Sequence, residues 1–256
     1  MNKVDLSKYF DKIYILTYLG CDYKTKLHDI EKQWNQLFIN DFYGDLVEIK
    51  YSFNSPLFNR IYDSFKQENS NMRPMNTHEL NVTIWHYLIA KEAAAFNYDH
   101  ILVIEDDIVF LKNLQNIKNI LDNLPEKYDI CQLHKGYLCL PSIDKSFYMD
   151  HELKYNDYFY KVNNEKYPYV SHVSSACNCL SKDGMNIIIY IFEHWNEFSD
   201  NRKIICDTYY NLLSSSIDYF VAYGDLCLCC YRNETNNSTD NKFNLNIYKE
   251  EDYLIF

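Results

Sequence analysis

The sequence predicts an α/β fold in which a mostly parallel central sheet is covered by helices on both faces. Three observations carry that reading. The chain opens with a strand–helix–strand pattern. A continuous apolar run, Ile101-Leu-Val-Ile104, lies in mid-chain; such a run reads as a strand buried on both faces, the habit of a parallel sheet under helices. No internal repeat, Pro-rich linker or composition break divides the 256 residues, so one mixed domain is the economical solution.

The elements follow in order. Lys12 to Tyr18 (KIYILTY) is β-rich and forms the first strand. Leu19-Gly20-Cys21-Asp22 breaks it. From Lys24 to Phe38, Leu27, Ile30, Trp34, Leu37 and Phe38 recur at helical spacing. Gly44 and Asp45 mark a turn, and Leu46 to Tyr51 is the second strand. Ser52 to Thr77 is polar, a loop with a short helix near Phe58 to Phe65. A longer helix runs from about His78 to Phe96, capped by Asn76 or Thr77, and leads into the strand 101–105. Asn113 to Leu121 is helical and is stopped by Pro125. Tyr128 to Leu133 is a strand. The aromatic segment Gly136 to Pro168 has no helical period and reads as hairpins or a lid-like insertion. Val170 to Leu180 is a strand, followed by a helix through Trp195 with Ser181 as its cap. A short helix over Ile205 to Leu213 carries Asp207 early. Ile217 to Tyr223 is the last strand, and Arg232 to Asp240, rich in Asn, Thr and Ser, reads as a mobile tail.

Composition removes several function classes. The chain is 47% hydrophobic with 25 Tyr and 15 Phe, enough for a full core. A net charge of −11 disfavours nucleic acid as a partner and supplies no polybasic membrane anchor. The five Gly form neither a GxGxxG nor a GxxxxGK[ST] loop. The nine Cys are odd in number, only Cys227 and Cys230 stand at CxxC spacing, and there is no signal peptide, so buried free thiols in a reducing cytoplasm are expected. The spacing of Cys206, Cys227, Cys229 and Cys230 fits no common zinc module. No apolar run is long enough to span a bilayer.

The chemistry concentrates where the mid-chain strand runs out. Ile104 is followed at once by Glu105-Asp106-Asp107, and then apolar residues resume at Ile108. Three adjacent carboxylates repel one another and call for water or a divalent cation. In an open α/β sheet, ligands bind beyond the carboxyl ends of the strands. A solvated, acidic strand-to-loop junction would have the same composition. Strand alternation sends Glu105 and Asp107 one way and Asp106 the other.

The order of features adds a family likeness. Glu79-Leu-Asn-Val-Thr-Ile-Trp-His86, the rest of its helix, and then LVIEDDIVF resemble the pattern of glycosyltransferase family 25, the lipooligosaccharide and collagen galactosyltransferase group. KIYILTY resembles that family's opening strand. The stretch Ser174-Ser-Ala-Cys-Asn-Cys-Leu-Ser-Lys-Asp-Gly-Met185 resembles a later motif, and Cys206-Asp207 the position after it. The likeness spans about residues 10 to 225. Asn81, Trp85 and Asn178 depart from it, and Lys24 and Lys26 are the nearest cations to a missing Arg pair.

The resemblance implies one GT-A-like domain over residues 1–256, with 1–135 handling the nucleotide sugar and 136–256 the acceptor. It implies Mn²⁺ or Mg²⁺, a UDP-hexose donor (galactose or glucose favoured), and a glycan or glycolipid acceptor in a surface polysaccharide, with peripheral membrane contact through that acceptor. A cation bridging both phosphates would stabilise the leaving diphosphate. Asp107 is the expected metal ligand. Glu105 joins it, or with Asp106 contacts the ribose or a metal-bound water. His86 braces the acidic residues from behind. Thr17 and Tyr18 would meet the nucleotide, and Lys135, next to His134, the phosphates. Asp207 is the expected general base of an inverting transfer, ahead of Asp183 and Glu193. No His follows His194, so water, Asn or Asp would complete the cation's shell. Two other classes stay open: a non-catalytic nucleotide-sugar or glycan binder on the same fold, and a metal-dependent phosphoesterase. The second is disfavoured by eight dispersed histidines with no HxH or HxD pair.

Overall fold

A computed structural model of the chain describes residues 2–17, 23–51, 60–61, 63, 77–134, 137–138, 152–162, 172–173, 175–194, 217–222 and 228–231. The opening is strand β1 (Lys12–Thr17), helix α1 (Tyr23–Leu37) and strand β2 (Val47–Tyr51). Helix α2 (Thr77–Ala95) leads into β3 (His100–Glu105) and, after a two-residue turn, β4 (Ile108–Phe110). Then come α3 (Leu114–Asp122), β5 (Ile130–Gln132), β6 (Tyr137–Leu138), β7 (Glu152–Lys154), β8 (Phe159–Val162) and β9 (His172–Val173). The chain continues through β10 (Cys177–Ser181), α4 (Lys182–Glu193), β11 (Tyr219–Ala222) and β12 (Cys229–Tyr231). The expected helix at 205–213 and the tail 232–240 lie outside the described residues.

Eight strands form one sheet in the order β2-β1-β3-β10-β5-β11-β8-β7. Strand β1 pairs in parallel with β2 and β3, and β11 in parallel with β5. Strand β10 runs against both β3 and β5, and β8 against both β11 and β7. Six of the eight strands therefore share one direction, and the sheet is mixed, mostly parallel in sense.

Alternation along each strand builds a core on both faces. Ile13, Ile15, Leu102 and Ile104 pack with Leu27, Ile30 and Trp34 of α1 and with Ile117 and Ile120 of α3. Tyr14, Leu16, Ile101 and Val103 pack with Ile84, Ile89 and Ala93 of α2 and with Met185, Ile188 and Ile191 of α4. Trp34 is fully buried, and its indole N–H donates to the Asn40 carbonyl at 2.7 Å, which satisfies its polar end. Cys131, Cys177, Cys179 and Cys229 are free and buried, as composition led one to expect. Burial pushes the Cys131 and Cys179 thiols well above their usual range. Among the described residues, no helix is long and apolar enough to cross a membrane.

Two local features differ from the sequence reading, and a third, within the aromatic segment, agrees with its hairpin alternative. The expected strand Val170 to Leu180 is split: β9 pairs with β6 in a separate ribbon, and β10 enters the main sheet. The apolar residues after Asp107 form β4, which pairs antiparallel with β12. Within the aromatic segment, β7 and β8 form a hairpin at the sheet edge, and Asn156 Oδ1 accepts from the Tyr158 and Phe159 amides at its turn.

Helix α4 starts as its sequence suggests. Ser181 Oγ accepts from the Gly184 amide at 3.1 Å. Gly184 itself lies hard against the strand entrance: a Cβ there would sit 1.9 Å from the Asp129 carbonyl oxygen. That contact is with backbone, which cannot rotate aside. Gly184→Ala is therefore expected to destabilise the fold by about 2 kcal/mol or more, read as a lowered denaturant midpoint at unchanged slope.

Candidate functional site

The acidic turn is built by the strand that carries it. Glu105 is held in the sheet by its amide, which donates to the Ala176 carbonyl at 2.8 Å, and by its register opposite Leu16. The chain turns at Asp106 and Asp107. It is recaptured at once, because the Phe110 amide donates to Gln33 Oε1 at 2.8 Å and the Leu111 amide to the Leu228 carbonyl at 3.1 Å. Short apolar strands thus pin both sides of a two-residue acidic turn.

The carboxylates are parted by strand parity. Ile101 and Val103 face α2, and Leu102 and Ile104 face α1. The same alternation sends Glu105 toward α2 and Asp106 toward α1. On the α2 face, Ser175 Oγ donates to Glu105 Oε1, and His86 Nε2 lies 3.8 Å from the same oxygen. On the α1 face, Thr17 Oγ1 donates to Asp106 Oδ2 at 2.7 Å, while Lys26 Nζ is 3.9 Å from Asp106 Oδ1. Asp106 is only 1% exposed, with Oδ2 facing Thr17 and Oδ1 facing Lys26.

Asp107 differs. Its side chain is half-buried, and Oδ1 is shut off from water without a hydrogen-bond donor. Burial pushes its carboxyl well above the usual range; Glu105 and Asp106 push the same way, and Lys26 pulls back. An orphaned, buried carboxylate oxygen beside two further carboxylates suits a hard divalent cation. Among the described residues, no three of His, Cys, Asp and Glu converge into a ready-made cage. A cation here would therefore take most of its oxygens from ligand and water.

The structure brings Thr17, His86, Glu105, Asp106 and Asp107 together. Tyr18, Lys135 and Asp207 lie outside the described residues. Lys24 and Lys26 part ways: Lys24 Nζ lies 5.9 Å from the Tyr23 ring centroid, while Lys26 reaches the acidic turn. Glu193 is engaged elsewhere, accepting from Lys91 Nζ and Tyr87 Oη, each at 2.9 Å. Asp183 sits in the first turn of α4. His134 is fully buried, and burial lowers its imidazole pKa to about 3. Ser175 escaped the sequence reading. Its one signal is its place among small residues just before β10.

A groove of about 800 Å³ lies beside the N-terminal segment, lined by Lys3, Asp5, Lys8, Tyr9, Ile39 and Lys118 among others. Its lining includes none of the acidic-turn residues.

Two measurements check this arrangement. Thr17→Val leaves Asp106 Oδ2 buried without its donor and should cost about 1–3 kcal/mol of stability, read by denaturant unfolding. His134 binds its proton less readily folded than unfolded, so it makes stability fall as pH drops from about 6.5 toward 3. His134→Asn should flatten that part of the stability–pH curve, whatever it does to stability at pH 7.

No family model matches the chain, and no curated protein matches it. Similar solved structures include a glycosyltransferase involved in the glycosylation of the major capsid of PBCV-1. That match has a TM-score of 0.46 and 13% identity, and covers 88% of this chain and 94% of that one. Mouse xyloside xylosyltransferase 1, in its apo form, has a TM-score of 0.41 and 9% identity, covering 82% of this chain and 81% of its own.

Proposed function

We propose that the chain is a metal-dependent, inverting glycosyltransferase that moves a hexose from a UDP-sugar to a glycan acceptor. The observation that carries this reading is the unpaired Asp107 oxygen that follows two braced carboxylates at the carboxyl end of β3. The family 25 resemblance of residues 10 to 225 supports it in kind, through the order of its motifs.

Asp107 would hold Mn²⁺ or Mg²⁺, with Glu105 beside it and phosphate and water oxygens completing the shell. When bound, the cation would neutralise charge on the leaving diphosphate. Glu105 or Asp106 is assigned the ribose or a bound water. Ser175 holds Glu105 in place, with His86 Nε2 3.8 Å from the same oxygen, and Thr17 holds Asp106. Tyr18 is proposed to stack on the uracil and Lys135 to meet phosphate. Asp207 would take the acceptor hydroxyl's proton as that oxygen attacks the anomeric carbon. The bond from that carbon to the diphosphate breaks, and the diphosphate leaves with the electron pair.

The rival reading is a binder without catalysis, motivated by Asn81, Trp85 and Asn178. Asn81 and Asn178 are buried and Trp85 is partly so, which puts all three departures at least partly in the packing of the α2 side.

Calorimetric titration with UDP should give strong heat only with Mn²⁺ present; equal, negligible heats with and without it would count heavily against the proposal. Slow hydrolysis of the UDP-sugar separates enzyme from binder. Asp107→Asn is expected to lower that hydrolysis by about 100-fold or more, the scale of losing several kcal/mol of charge stabilisation. Unchanged hydrolysis would mean that the metal assignment is wrong.

A further inference from the structure

We propose that Lys26 is a tethered counter-ion of the acidic turn, which competes with a divalent cation and so sets this site's affinity for metal. The inference rests on the donor-site reading above and deepens it.

Three consecutive carboxylates need compensating positive charge. Lys26 supplies some of it, with Nζ 3.9 Å from Asp106 Oδ1. The placement is specific. Thr17 fixes Asp106 Oδ2, which turns Oδ1 toward α1 and toward Lys26. Lys24, two residues earlier on the same helix, is directed at Tyr23 instead.

A dication arriving at Asp107 meets this ammonium as a like charge. Asp106 is sealed from solvent, so water screens the repulsion poorly. Lys26 is about one-fifth exposed, and its four-carbon stem lets the head group swing outward. Metal binding therefore has to displace a resident cation before it gains the full attraction of the turn. In a protein of net charge −11, the arrangement keeps three adjacent carboxylates from gripping any divalent ion irreversibly. Affinity is left low enough for the ion to depart with a diphosphate product.

The test is Mn²⁺ alone, titrated into the full chain and followed by the electron paramagnetic resonance of free Mn²⁺, a readout independent of turnover. Lys26→Met is expected to tighten Mn²⁺ binding by roughly tenfold, the scale of one charge a few ångströms away in a partly screened site. Lys26→Gln, which keeps a polar side chain beside Asp106 without the charge, should tighten it comparably, so a folding defect in one variant does not decide the matter. Lys26→Arg should match the wild type, and Asp107→Asn should lose binding. If wild type and both neutral variants bind Mn²⁺ equally, or the neutral variants bind more weakly, Lys26 is no competitor while the donor-site reading stands. If none binds Mn²⁺ even with UDP present, the donor-site reading fails and this inference fails with it.

Discussion

Everything near the site depends on how the end of β3 is held. Burying carboxylates is costly unless each finds a donor or a countercharge. The chain meets that constraint by using the two faces of its sheet. Glu105 is taken up by Ser175 on the α2 side, where His86 lies 3.8 Å away, and Asp106 by Thr17 and Lys26 on the α1 side. Neither pair would form if the strand were shifted by one residue, because the whole alternation would invert. The register of Leu16 against Glu105 is thus as much a part of the site as the carboxylates are.

Much of the fold was legible because its signals are local and periodic. The Leu27, Ile30, Trp34 and Leu37 spacing yields α1 over Tyr23–Leu37, and the Ser181 cap yields the start of α4. The acidic turn could be read as a place of interest because an apolar run ends abruptly in charge. What was not legible is pairing between distant segments. That β10 lies between β3 and β5, running against both, depends on contacts more than 40 residues apart in sequence and leaves no periodic trace. Strands β4 and β12 are three residues each, too short to announce themselves.

The same division holds at the site. Glu105, Asp106 and His86 were nameable because carboxylates and imidazoles in apolar surroundings stand out. Their partners were harder. Ser175 is one serine among several, and it matters only because the antiparallel β10 begins beside Glu105. Lys26 stood beside Lys24 as an equal candidate, and only the geometry of α1 separates the two, giving one to Tyr23 and the other to Asp106.

The sealed sulfurs carry a practical consequence. Cys131 and Cys179 are register partners on neighbouring strands, with Cys177 close by, all on the sheet face toward α1. Held protonated and away from solvent, they are poor nucleophiles while the sheet is intact. Their alkylation by a thiol reagent requires the centre of the sheet to open. The rate at which they become labelled is therefore a built-in clock for the rarest and largest fluctuation this molecule makes.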